Sequence, residues 1–337
     1  MKSPFTGKEM RIVRENTILP YRKDEFEIVY QAYECEDTQE RFTDDELDLI
    51  NINQVHNQYR EKYGIPFPEE IRNIREKYDV SAKKMSEILG LGSNAYRLYE
   101  SGEMPSVSIG RLILSIKEAE EFKRQIEFSA HLLKETEYNR LIKNIDQIID
   151  NDKDVWRKIC EEEYAYRTID QNSGFKLLDL DKIANALSYF GSAKIELFKT
   201  KVNKLLFYSD FLNYQRFGIS MFGITYKAIP FGPVPVEYEK IFKHLYDEDS
   251  IDIEHFQIDH NYAEKFIPQL KFNNTLFNEV ELKVLEDVVS TFKNKNTTEV
   301  VNISHLEPAW IDNKDTRNII SYKKYAFDLK AIEITSK

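Results

Sequence analysis

Gly90-Leu91-Gly92-Ser93-Asn94-Ala95-Tyr96-Arg97 joins a flexible turn to side chains of the types able to hydrogen-bond nucleic-acid bases. An Asn amide forks onto adenine N6 and N7, and an Arg guanidinium onto guanine O6 and N7. Ser93 is expected to cap the helix that follows, turning Asn94, Tyr96 and Arg97 outward, while Lys83 and Lys84 sit one helix earlier to meet phosphates. A second constellation lies far downstream. Lys204 and Tyr208 share a helix face, Tyr226 precedes the turn residues Phe231, Gly232 and Pro233, and His305 stands five residues before Trp310. An amine, a phenol and an imidazole are acid–base groups. No His-Glu-x-x-His pair, serine elbow or phosphate loop accompanies them, so a structural or binding role is expected and no enzyme. The histidines at 56, 131, 244, 255, 260 and 305 are scattered, and His255 and His260 are badly spaced for one metal on a helix. Cys35 and Cys160 are too few for a disulfide framework.

Composition sets the elements that must carry these groups. The 337 residues suffice for several domains, and a net charge of -11 excludes a general polyanion coat, so any nucleic-acid contact must be a local basic face. Gly and Pro number only 11 and 10 against 41 Phe and Tyr, which favours long regular elements, mostly helical. The first residues, MKSPFTGKEMRIVREN, lack an apolar signal core and no run nears about 18 apolar residues, so a cytoplasmic protein without membrane association is expected. The expected fold is therefore mostly α with small β elements, in several domains.

Strand composition at 26–35 leads into a helix started by Thr43 and running to about Tyr63. Gly64–Pro68 punctuates the chain before short helices at 68–78, 81–89 and 93–100, with Ile71, Ile74, Tyr78, Met85, Ile88, Ala95, Leu98 and Tyr99 expected inward. A Ser106-capped helix follows. Between 118 and 150, Phe122, Ile126, Leu133, Leu141, Ile145 and Ile148 recur at helical spacing, giving a packed connector or a dimer seam. After a loop at 170–174, helices are expected near 179–190, 194–217, 235–246, 279–293 and 297–306, with extended segments at 225–228, 251–253 and 319–325.

Between Ile71 and Tyr99 six cations face three carboxylates, a local surplus in an acidic chain. Residues 1–116, through Asn94-Ala95-Tyr96…Tyr99-Glu100-Ser101-Gly102, resemble the MqsA family of antitoxins, which joins a zinc-ribbon module to a helix-turn-helix. The resemblance implies a base-reading role for Asn94; the family's Arg one turn later corresponds to Leu98, with Arg97 beside it. Its four zinc cysteines correspond to Ser3, Thr6, Cys35 and Thr38, and hydroxyls cannot replace thiolates, so no zinc and no other cofactor is expected.

Lys201-x-x-Lys204-Leu205-Leu206-x-Tyr208, then Tyr226-Lys227 before Gly232-Pro233-Val234, then His305-x-x-Pro308-Ala309-Trp310 occur in an order that resembles the SocA-like Panacea domain across about 179–325. The chain thus divides into a β-rich zinc-ribbon-like module at 1–64, an all-α helix-turn-helix at 65–117, a helical connector at 118–177 and an α-rich α+β Panacea domain at 178–337. The resemblances imply a type II antitoxin that binds a cognate toxin protein and the operator DNA of its own genes, as a homodimer where that operator is palindromic. Lys204, Tyr208, Tyr226, Phe231, Gly232, Pro233, His305 and Trp310 are the toxin-contact residues so implied. A regulator with a ligand- or protein-sensing C-terminal half, and an adaptor delivering a toxin to a protease, stay open.

Overall fold

The β-branched and aromatic run of the first 35 residues forms a hairpin. In the computed structural model, β1 (Arg11–Tyr21) pairs antiparallel with β2 (Asp24–Glu34), in a register from Arg11 opposite Glu34 to Tyr21 opposite Asp24. The structure describes residues 2–4, 6–152, 169–258 and 261–332; Cys160 and His260 lie outside them. A two-residue strand, β3 (Arg41–Phe42), covers only the end of the other edge of β2. Helix α1 (Asp45–Tyr63) completes that edge with side chains. Asn51 accepts from the Gln31 amide and donates to its carbonyl, both at 2.9 Å, and Gln54 does the same for Val29 at 2.9 and 3.0 Å. Two amides thus replace the ladder partners that an unpaired strand would otherwise lack. The start of α1 is capped by Asp44, whose carboxylate accepts from the Leu47 amide, one residue beyond the expected Thr43.

The chain divides into two compact units, Met1–Val55 with Ile169–Lys337, and His56–Thr168. This differs from the four segments expected from sequence. In the first unit, Asn53 donates to the Phe217 carbonyl at 3.1 Å, Gln31 to the Gln215 carbonyl and Arg14 to the Phe327 carbonyl, so the hairpin is built onto the C-terminal half. In the second unit the 118–150 stretch supplies Phe122, Ile126, Leu141 and Ile145 to one core with Ile71, Tyr78, Met85, Tyr96 and Ile113. Its apolar stripe is used in packing, as a connector's would be.

That second unit comprises α2 (Pro68–Lys77), α3 (Ala82–Ile88), α4 (Ala95–Glu100), α5 (Val107–Ser115), α6 (Ala119–Phe128) and α7 (Glu135–Asp152). Ser106 caps α5 as expected, accepting from the Ile109 amide, and Ser81 caps α3 in the same way through the Lys84 amide. The remainder of the first unit winds around one helix. It contains α8 (Leu180–Ser192), α9 (Lys199–Phe217), the hairpin β4 (Tyr226–Ile229) and β5 (Gly232–Pro235), α10 (Tyr238–Asp247), the hairpin β6 (Ile251–Ile258) and β7 (Asn261–Pro268), α11 (Glu279–Phe292), α12 (Thr297–Ser304), α13 (Pro308–Ile311) and α14 (Tyr322–Tyr325). Every residue of α9 from Lys201 to Gln215 is buried. The expected extended segment at 319–325 is realised only as a bridge from Ile319 to Lys227; Tyr322–Tyr325 is helical, with Ser321 capping it through the Lys324 amide. No helix among the described residues is long and apolar enough to cross a membrane.

Candidate functional site

Helix α9 sets one site by running polar side chains through an apolar core. Asp210 is fully buried and accepts from the amides of Met221 and Phe222 at 2.8 and 2.6 Å and from the Tyr226 hydroxyl at 2.9 Å. Burial pushes its carboxyl up to about 7, against those hydrogen bonds. Tyr226 is thereby fixed inside a ring cluster in which Phe211 stacks on Tyr322 at 4.3 Å. Two residues before Asp210, on the other side of α9, Tyr208 donates to Glu307 at 3.1 Å, and Glu307 also accepts from the amides of Lys330 and Ala331. Desolvation raises the Glu307 carboxyl above its usual range.

Lys204, one turn before Tyr208, is fully enclosed, and its Nζ has no hydrogen-bond partner among the described residues. Burial alone lowers its amine to about 7. The amine lies against Gly232, whose φ of +99° and proximity to Lys204 and Ser304 leave no room for a side chain: a Cβ there would stand 2.5 Å from the Ser304 hydroxyl and 2.8 Å from Lys204 Cε. His305 stacks on Trp310 with ring centroids 3.8 Å apart, and its Nε2 is buried without a hydrogen-bond partner among the described residues. Desolvation, followed by the nearby Lys204 charge, lowers the imidazole below its ordinary value. Two potential cations thus neighbour one another, Lys204 fully enclosed and His305 half-buried, and both are driven toward their neutral forms.

The hairpin above them is locked at several points. Trp310 Nε1 donates to the Ile229 carbonyl at 2.7 Å, Ala228 donates to the Asn318 carbonyl, and Ile320 donates to the Tyr226 carbonyl. At its turn, Phe231 is 66 % exposed, while Gly232 and Pro233 are buried. Leu306, next to His305, is 68 % exposed, and Ile311, next to Trp310, is 46 % exposed. Of the eight residues proposed from sequence for toxin contact, Lys204, Tyr208, Tyr226, Gly232 and Pro233 are enclosed and offer a partner no side-chain surface. They position the turn. His305 and Trp310 are half-buried, and Phe231 projects.

In the second unit, Gly90 takes a φ of +66° at the end of α3, and the Leu91 amide donates back to the Ser86 carbonyl. This makes the tight turn that leads into α4. Asn94, not Ser93, occupies the N-cap position and makes no capping bond, so both polar side chains remain exposed. Arg97 is exposed as expected. Tyr96 is not: it is fully buried, accepts nothing from outside, and donates to the Ile71 carbonyl at 2.8 Å. It cannot touch DNA in this arrangement. Lys83 is exposed, whereas Lys84 is half-buried against Glu87 and Glu137 at 2.8 and 3.1 Å, which raise its ammonium above the ordinary value, Glu87 first. Leu98, expected inward, is 40 % exposed.

Ser3, Thr6 and Thr38, expected from sequence to stand with Cys35 where zinc ligands would be, do surround its thiol. Hydrogen bonds from Ser3 first, then Thr38 and Thr6, lower the Cys35 thiol to about 6, and Thr6 Oγ1 lies 3.7 Å from its sulfur.

Residues 202–311 match the family described as antitoxin SocA-like, Panacea domain. No curated protein matches the chain. The Panacea match covers nearly all of α9, with β4, β5 and the His305–Trp310 segment, so the buried polar residues of α9, the locked hairpin and the Phe231 turn all belong to it. A SocA-like Panacea domain supports an antitoxin role. Asp210 and Glu307 were missed in the sequence because neither carries a motif of its own. The available signal was an acidic residue inside a helix otherwise dense in Leu, Phe and Tyr.

Proposed function

We propose that the chain is the antitoxin of a type II toxin–antitoxin pair, neutralising a cognate toxin by direct contact through the Panacea domain and repressing its own operon through α3 and α4. The observation that carries the contact reading is Phe231. An aromatic ring held out on a turn whose two flanks are tied to Trp310 and to the segment 318–320 presents area with little ordering cost. Leu306 and Ile311 extend the apolar surface on the segment that holds the turn. Acidity of the chain suits a basic partner, since complementary fields speed encounter and set register. The enclosure of the Lys204 and His305 nitrogens supports a binding role over an enzymatic one.

The test is co-expression of the full chain with the toxin encoded beside it. Wild type should restore growth. Phe231→Ala removes an exposed ring, so its melting temperature should stay within about 2 °C of wild type, as expected for a surface change. Loss of an interface centre of about 2 kcal/mol weakens binding roughly thirtyfold and should abolish protection at matched expression. Normal melting with full protection would remove Phe231 from the interface. Protection that vanishes in cells lacking their ATP-dependent proteases would replace direct neutralisation with delivery for degradation.

A further inference from the structure

Helix α4 and its two cap residues carry four side chains on one outward stripe, and only three of them are polar. Asn94, Arg97, Leu98 and Ser101 follow one another at i, i+3, i+4 and i+7, the spacing that places residues on one helix face. All four are exposed, while Tyr96 is in the core and Ala95 and Tyr99 are half-buried. The Leu98 amide donates to the Asn94 carbonyl at 3.1 Å, so Leu98 stands directly one turn beyond Asn94. The leucine is therefore not a stray apolar residue at a frayed end. It is the third member of an ordered stripe, flanked by an amide and by a guanidinium that makes no ion pair among the described residues.

We infer that Leu98 reads a thymine methyl group in the major groove, beside the base contacts of Asn94 and Arg97. This rests on the DNA-binding reading of α3 and α4. The occupant follows from chemistry. An amide, a guanidinium and a branched aliphatic group complement, in turn, adenine N6 and N7, guanine O6 and N7, and the thymine C5 methyl. Arg72, Lys83 and Arg97 add exposed cations to the same small unit, as a polyanion requires, although the whole chain is acidic. A protein partner would be expected to use a larger apolar area than one leucine among polar neighbours.

The experiment uses the full chain and the duplex upstream of its own gene. Footprinting first defines the bound site, and each thymine within it is then replaced singly by deoxyuridine. Uracil keeps every hydrogen-bonding group of thymine and lacks only the methyl. Wild type should lose affinity roughly fourfold at one position per half-site, the amount expected for uncovering one methyl-sized group. Leu98→Ala should bind the thymine and uracil duplexes equally, Leu98→Met should keep the difference, and Asn94→Ala should bind both more weakly while still telling them apart. Uniform insensitivity of wild type to uracil, or full discrimination by a folded Leu98→Ala, overturns the inference while leaving DNA binding standing. Failure of wild type to bind that duplex specifically overturns the DNA-binding reading itself, and Leu98 with it.

Discussion

Replacing Lys204 by Met should stabilise the Panacea domain, and by an amount that depends on pH. Lys204 is fully enclosed, has no hydrogen-bond partner among the described residues, and has its amine lowered from 10.5 to about 7 by burial. The unfolded chain therefore binds a proton between those values that the folded chain does not, and stability rises with pH across that window. Each pH unit is worth about 1.4 kcal/mol, so wild type should gain roughly 2 kcal/mol between pH 7.5 and 9 from this group. Below about pH 7 the lysine is protonated in both states and its dependence flattens. Met has a similar length and no charge, and it leaves the Gly232 approach undisturbed. At pH 7 the variant should be more stable by roughly 2 kcal/mol or more, since an unpaired buried amine is lost. Chemical denaturation of both proteins at pH 6, 7.5 and 9 measures this directly. The difference between variant and wild type should be largest at the two lower values and shrink at pH 9. Parallel stability–pH curves, or a variant weaker than wild type by 2 kcal/mol, would mean that the amine has a counter-charge in the folded chain and would refute the argument. Protection against the toxin should be retained, because Lys204 offers no surface to a partner.

Tyr96→Phe should lower stability by about 1 kcal/mol, the loss of a buried hydrogen bond to the Ile71 carbonyl, and leave operator affinity and its salt dependence unchanged; anisotropy titrations showing a sequence-specific loss would return Tyr96 to the interface. Deleting residues 1–55 should abolish cooperative melting of the remaining Panacea half, because the bonds of Gln31 and Asn53 to the carbonyls at the end of α9 go with them; a fragment from residue 175 that melts sharply and still protects would show the hairpin to be dispensable.

Much of the helical order was readable because its causes are local. Ser81, Ser106, Asn278 and Asn296 each bond an amide two or three residues ahead, and the stripes of α2 and α11 repeat at helical spacing. The turn motif around Gly90, the exposure of Asn94 and Arg97 and the Panacea signature were legible for the same reason. Helix α4 was misread by one face. Tyr96 and Leu98 are both apolar candidates two positions apart, and nothing within six residues states which one turns inward. The buried carbonyl of Ile71, 25 residues away in sequence, takes the tyrosine hydroxyl and thereby sends the leucine out.

The other misreadings share that cause. Helix α9 is surrounded on all sides, so its polar residues do not mark an outer face, and Lys204, Tyr208 and Asp210 look available until α11, α12 and the β4–β5 hairpin close over them. Strand β2 borrows Asn51 and Gln54 as ladder partners, a pairing no strand propensity can announce. Sequence alone determined most helical stretches, several caps, the Panacea resemblance and the turn that carries Phe231. Tertiary structure alone decided which polar groups are enclosed, which rings project, and that residues 1–55 belong with the C-terminal half, because burial is a property of what packs across long chain separations and not of the neighbours along it.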